Sequence, residues 1–143
     1  MKIVLDTNVL VSGLLTPYGT SGEIVRMVSA GKLILLYDSR ILLEYEEVLH
    51  RSKFKFDRGQ VDLLIDFIKK NGQVAPTSPL QENLPDPDDA PFLQLAIGGD
   101  AECLVTGNKV HYPRKSRKGI KVLTPTEFIN AYRKRKGNTE PQL

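Results

Sequence analysis

The chain has 143 residues, 26% of them charged and 41% hydrophobic, with a single Cys and no Trp. That length supports one domain around one core. One cysteine excludes a disulfide framework and a thiolate metal site, and no apolar run is long enough to span a bilayer.

The first apolar run, Lys2-Ile3-Val4-Leu5, reads as a strand and is broken at once by Asp6, which is not a signal-peptide pattern; the composition is that of a globular cytoplasmic protein. Val9 to Leu15 continues apolar as a short helix or turn, broken by Pro17-Tyr18-Gly19. Thr20 and Glu23 have capping-box spacing, predicting a helix over 21–30 that stops at Gly31. Leu33 to Tyr37 is a buried strand. Asp38-Ser39 opens a helix to about Leu49 or His50, with Ile41, Leu42, Tyr45, Val48 and Leu49 at helical spacing. Asp57 starts another, ending at Asn71-Gly72. Residues 73–75 form a short strand, and Pro76 to Pro87 a loop. Asp88 and Asp89 are both candidate N-caps of a helix with Pro91 in its first turn, ending at Gly98-Gly99. Cys103 to Thr106 is a strand, with Cys103 a small core residue. Lys109 to Gly119 is a basic loop, Ile120 to Leu123 a strand, and Thr124-Pro125-Thr126-Glu127 opens the last helix. Strands alternating with helices predict an α/β fold with a mainly parallel sheet.

The formal net charge of +3 is unevenly spread: residues 1–106 carry 10 Lys/Arg against 15 Asp/Glu, and residues 107–143 carry 10 against 2. An acidic portion beside a basic one suits a polyanion held through its phosphates and cut at a metal site; a solvated loop and a frayed tail would give the same counts. Open parallel sheets bind ligands beyond the carboxyl ends of their strands, which is where Asp6 falls. Glu44 lies beside the buried face of its helix, and Asp89 at a helix start. Phosphodiester hydrolysis needs an activated water and neutralised oxygens, which one or two Mg²⁺ or Mn²⁺ ions held by such carboxylates supply. Asn8 and Asn108 add neutral oxygens, and His111 and Tyr112 are close in sequence to Asn108. Asp86 is a supporting group or a turn former before Pro87. No Gly-rich phosphate loop is present, and neither His50 nor His111 has a companion Ser. Asp6 as a phosphotransferase nucleophile lacks its second Asp, since that position is Asn8.

Four blocks, in order, resemble the PIN-domain ribonucleases: Ile3-Val4-Leu5-Asp6-Thr7-Asn8-Val9-Leu10-Val11-Ser12; Ile41-Leu42-Leu43-Glu44-Tyr45-Glu46-Glu47-Val48-Leu49; Asp86-Pro87-Asp88-Asp89 with Phe92 to Ala96; and Leu104-Val105-Thr106-Gly107-Asn108, closing with Leu123 to Phe128. The chain is most similar to the bacterial and archaeal branch that serves as toxins of toxin–antitoxin systems (VapC-like). The resemblance runs from Met1 to about Ala131. It implies a three-layer α/β/α fold with four or five mainly parallel strands, cleavage of single-stranded RNA with Mg²⁺ or Mn²⁺, homodimers, and a small antitoxin that covers the active groove. The family's acidic positions fall on Asp6, Glu44 and Asp89. Its fourth is Asn108, which removes a negative charge from the pocket.

On this reading Asp6, Glu44 and Asp89 bind the ion, while Asn8, Ser12, Asp86, Thr106 and Asn108 orient ligands or water. Lys109, His111, Arg114, Lys115, Arg117 and Lys118 hold RNA, and Tyr112 stacks on a base. The nuclease domain is expected over 1–132, followed by a disordered basic tail over 133–143. The rival is a non-catalytic RNA-binding or protein-interaction module that kept the fold and, through Asn108, lost full metal binding. No membrane role is expected.

Overall fold

In the computed structural model, which describes residues 1–139, five parallel strands form one sheet in the order β3-β2-β1-β4-β5. The strands are β1 (Lys2–Leu5), β2 (Ile34–Tyr37), β3 (Gln73–Val74), β4 (Cys103–Val105) and β5 (Lys121–Leu123). Helices α1 (Thr7–Leu15), α2 (Thr20–Ser29), α3 (Ser39–Leu49), α4 (Arg58–Asn71), α5 (Ala90–Gly98) and α6 (Pro125–Thr139) cover both faces, giving the three-layer α/β/α fold. Parallel pairing needs crossovers, and the helices supply them. The first strand is central: Ile3 registers with Leu35 of β2 and with Cys103 of β4. Ile3, Val4, Leu5, Leu104 and Val105 are fully buried, as expected for a sheet covered on both sides. Among the described residues no helix is long and apolar enough to cross a membrane.

Capping agrees with the sequence in three places. The Asp38 carboxylate accepts from the Ile41 N–H (3.0 Å) and that of Asp57 from the Gln60 N–H (2.9 Å). Thr124 and Glu127 form a reciprocal capping box at 2.9 and 3.1 Å. The box expected at Thr20 is absent: Thr20 is the first residue of α2, Gly19 holds the cap position without a side-chain bond, and the Glu23 carboxylate is taken by Arg133 at 2.8 Å. Close packing sets this entry, because a Cβ on Gly22 would lie 2.1 Å from the Pro17 carbonyl oxygen.

The segment from 133 onward, expected to be a disordered tail, continues α6 as far as Thr139. Arg133 pairs with Glu23 and Arg135 with Glu102, so two of its cations are anchored on the body of the domain. Residues 140–143 of that expected tail lie outside the described residues.

Candidate metal centre

Asp6 comes directly after β1 and precedes α1, so strand pairing fixes its backbone; its N–H donates to the Val105 carbonyl at 2.9 Å. The carboxylate is buried. Two hydroxyls, Thr106 Oγ1 and Tyr112 OH, donate to the same oxygen, Oδ2, each at 2.9 Å. Burial pushes the Asp6 carboxyl up in pKa, and the bonds from Thr106 and Tyr112 partly offset this. Backbone N–H groups of Thr7 and Asn8 also favour its charged form, so the carboxylate is held from several sides.

Glu44 arrives from α3, where buried Ile41 and Tyr45 flank it. Its Oε2 accepts from the hydroxyl of Thr7, the neighbour of Asp6 in the chain. Burial raises its pKa, and the charges of Asp6 and Asp88 add to the rise while the Thr7 bond opposes it. Tyr45 lies beneath, fully buried, with its hydroxyl on the Leu5 carbonyl at 2.5 Å.

Asp89 ends a 3₁₀ turn, Pro87–Asp89. Of the two candidate caps of α5, Asp88 lies inside the 3₁₀ turn and Asp89 holds the cap position without a side-chain cap bond; Asp86, read as a turn former, caps that turn by accepting from the Asp88 N–H at 3.0 Å. Asp89 is therefore left to the pocket. Burial first, then the charges of Asp6 and Asp86, raise its carboxyl to about 6, although His111 Nδ1 lies 2.9 Å from Oδ2 and opposes the shift. Asp86, Asp89 and His111 each offer a ligand atom, all within 4.8 Å of one another. Three carboxyls held with raised proton affinity at one end of a sheet have the donor chemistry of a hard divalent cation, whose binding would offset their mutual repulsion.

The other residues expected at the site divide between supporting bonds and the open surface. The Asn8 Oδ1 accepts from the Gly107 N–H at 3.2 Å, tying the start of α1 to the end of β4. Thr106 donates to Asp6 and accepts from the Asn108 N–H at 3.1 Å. The Asn108 side chain is exposed. Ser12 is exposed on α1, and among the described residues no hydrogen bond ties it to the three carboxylates. Tyr112 does not stack on a base: it is fully buried and its hydroxyl is committed to Asp6. His111 is turned to Asp89. In the basic loop Lys109 pairs with Glu127, Lys115 with Glu82, and Arg117 donates to the Tyr112 carbonyl at 2.7 Å. Arg114 and Lys118 are exposed. The sequence does not announce Thr7 as a partner of Glu44; its place between Asp6 and Asn8 is the one available signal. Cys103 is buried with its thiol pushed up to about 12, an inert core group.

A five-stranded parallel sheet with Asp6 directly after β1, and Glu44 and Asp89 on flanking elements, defines an α/β protein with a candidate metal site at its strand ends. The PIN domain model matches residues 2–110, and the chain belongs to that family. It is also 26% identical over 144 residues to an uncharacterized protein of Methanocaldococcus jannaschii, an alignment covering 94% of this chain and 93% of that one. Family membership points to a nuclease, and the acidic cluster is a candidate metal site.

Proposed function

We infer that the protein is a metal-dependent endoribonuclease that cleaves single-stranded RNA. The observation that carries the reading is the hydrogen bond from Thr7, the neighbour of Asp6, to Glu44; burial first, and the charge of Asp6 in addition, raises the proton affinity of both Glu44 and Asp89, which supports three carboxyls from three separate segments acting together. A bound Mg²⁺ or Mn²⁺ would supply the charge neutralisation and water activation that phosphodiester hydrolysis needs. Asp6, Glu44 and Asp89 would hold it. Thr106 and Tyr112 keep the Asp6 carboxylate in one orientation, and Thr7 does the same for Glu44. Arg114 and Lys118, with Lys109, Lys115 and Arg117 once their present partners are exchanged, would hold phosphates of the strand. The resemblance in the four sequence blocks further supports a toxin of a toxin–antitoxin pair, homodimeric, cytoplasmic and inhibited by a small antitoxin over the groove.

The exposed, neutral Asn108 favours a second reading, a non-catalytic RNA-binding or protein-interaction module on the same fold. The test is calorimetric titration with Mn²⁺ beside a single-stranded RNA cleavage assay, on the parent and on Asp6→Asn. The nuclease reading expects Asp6→Asn to lose both binding and cleavage. Cleavage by Asp6→Asn at the parental rate would refute it, and metal-independent RNA binding without cleavage by the parent would select the second reading.

A further inference from the structure

The chain has two histidines, and the fold uses them in opposite ways. His50 is spent on structure: its Nδ1 lies 2.7 Å from the Glu46 carbonyl oxygen and its Nε2 lies 2.9 Å from the Asp62 carboxylate, so both ring nitrogens face acceptors. His111 is not. Among the described residues its ring bonds only to Asp89, with Nδ1 2.9 Å from Oδ2, and its side chain stays 38% exposed. Asp86 adds a second carboxylate, and the three residues offer ligand atoms within 4.8 Å of one another. Two carboxylates beside a turn are ordinary turn chemistry. An imidazole joined to them makes a donor set, because a neutral ring nitrogen offers a metal a lone pair that no turn requires.

The spacing is close to what an ion demands. Donors about 2.1 Å from a metal lie roughly 3.0 Å apart at a right angle and about 3.4 Å apart at a tetrahedral one. The 2.9 Å between His111 Nδ1 and Asp89 Oδ2 is within about half an ångström of both.

Both of these ligands sit on pinned turns. Asp89 ends the 3₁₀ turn Pro87–Asp89, closed by its N–H on the Asp86 carbonyl at 3.1 Å, and leads straight into α5. His111 ends the 3₁₀ turn Lys109–His111, and the next residue, Tyr112, is fully buried with its hydroxyl on Asp6. Little conformational freedom is left for binding to remove. Asp86 is the looser member: one oxygen accepts from the Asp88 N–H at 3.0 Å, and a carboxylate has further lone pairs for a cation.

The donor set also selects the ion. Mg²⁺ takes oxygen ligands and gives up its waters reluctantly. Imidazole nitrogen suits the later first-row ions, for which affinity is higher than for Mn²⁺. Asp6 and Glu44 offer oxygen alone, whereas the other side of Asp89 offers nitrogen. Asp89 is common to both. The centre has no reserve carboxylate in the chain after β4, where Asn108 stands. An ion that draws Asp89 towards His111 therefore leaves Asp6 and Glu44 by themselves.

We propose that Asp86, Asp89 and His111 form a mixed nitrogen–oxygen site for a transition-metal dication of the Zn²⁺ class, and that such an ion antagonises Mg²⁺ at Asp6 and Glu44 by taking Asp89. The site stands on its own donors. The antagonism rests on the reading above, in which Asp6, Glu44 and Asp89 hold the hydrolytic ion.

The experiment uses the full chain, freed of metal by dialysis. Zn²⁺ and Mg²⁺ are titrated by calorimetry, alone and each against a saturating level of the other, with the imidazole nitrogen resonances followed by NMR. Zn²⁺ should move the ring nitrogens of His111 and leave those of His50 in place. His111→Asn keeps an amide donor for Asp89 but offers no lone pair to a metal. Its Zn²⁺ affinity should fall about a hundredfold, the upper end of what losing a mere supporting partner costs. Asp86→Asn should also weaken Zn²⁺ binding. Asp6→Asn should lose Mg²⁺ and keep Zn²⁺ on His111. Saturating Zn²⁺ should weaken Mg²⁺ binding about tenfold, and by linkage Mg²⁺ should weaken Zn²⁺ by the same factor. In His111→Asn, the Zn²⁺ level that saturates the parent should no longer weaken Mg²⁺.

Zn²⁺ that leaves the His111 ring unmoved would overturn the site, as would parental Zn²⁺ affinity in His111→Asn. Mg²⁺ affinity that is indifferent to Zn²⁺ would overturn the antagonism. The two readings fail separately. Zn²⁺ bound at His111 in a chain that cleaves no RNA with Mg²⁺ removes the nuclease reading and leaves the metal site. Mg²⁺-dependent cleavage by a chain whose His111 ignores Zn²⁺ removes the site and leaves the nuclease.

Discussion

Replacing Asp89 by Asn keeps the shape of the side chain and removes its charge, which should make stability at neutral pH rise rather than fall. In the folded chain the Asp89 carboxyl titrates at about 6, raised by burial and by the charges of Asp6 and Asp86; in the unfolded chain it titrates at roughly 3.9. A carboxyl whose folded pKa is the higher binds its proton more tightly when folded. Its contribution to stability is therefore complete below roughly pH 4 and is lost as pH rises through about 6. Two pKa units correspond to about 3 kcal/mol. The side chain is 13% exposed, and ions and water reach it, so about 2 kcal/mol is expected. Asn cannot ionise and lacks this slope. In EDTA, Asp89→Asn and the parent should unfold alike at roughly pH 4.5, apart from the lost His111 bond. By about pH 7.5 the variant should be the more stable by about 2 kcal/mol relative to that baseline, or roughly 6 °C in Tm. Urea unfolding at the two pH values reads this directly. Mn²⁺ at about 100 times its Kd should return about 2.7 kcal/mol to the parent at the higher pH and much less to the variant. Parallel pH slopes for the two proteins in EDTA would show that Asp89 does not carry the strained charge described here.

Asn108→Asp should tighten binding of a second Mn²⁺, seen by calorimetry above neutral pH, where added repulsion with Asp6 and Asp89 no longer keeps a proton on the cluster. Tyr112→Phe removes one of the two donors on Asp6 Oδ2; unfolding in urea should show a loss of about 1–2 kcal/mol at neutral pH, and the pH midpoint of Mn²⁺ binding should move up. Gly22→Ala drives a methyl against the Pro17 carbonyl, where a Cβ would sit 2.1 Å from the oxygen. It should cost about 3 kcal/mol by separating α1 from α2, with the loss visible in thermal unfolding.

What the sequence made legible was local. Apolar runs ending in Asp6 and Thr106 marked the strand ends, and the spacing of Ile41, Tyr45 and Leu49 put Glu44 at the margin of a buried face; both reflect the two backbone periodicities. What it hid was tertiary. Tyr112 sits among Lys, His, Pro and Arg, so its neighbours describe a solvated loop, yet its hydroxyl reaches a carboxylate 106 positions earlier. Thr20 and Glu23 have the spacing of a capping box, but Glu23 answers to Arg133, 110 positions away. The same bond, with that of Arg135 to Glu102, turns a run that looks like a basic tail into the last turns of a helix.

The central place of β1 has a consequence for synthesis on the ribosome. Residues 2–5 leave the ribosome well before the strand that flanks them on one side, β4, which begins only at Cys103. At translation rates of roughly 5–20 residues per second, several seconds separate the emergence of Asp6 from that of Thr106 and Tyr112. A nascent chain that ends before Cys103 has one edge of its central strand unpaired and an Asp6 carboxylate without its two hydroxyl donors. Such a chain has no assembled centre. The acidic centre is thus assembled only when the segment from Cys103 to Tyr112 has been made, late relative to the strand that carries its first carboxylate.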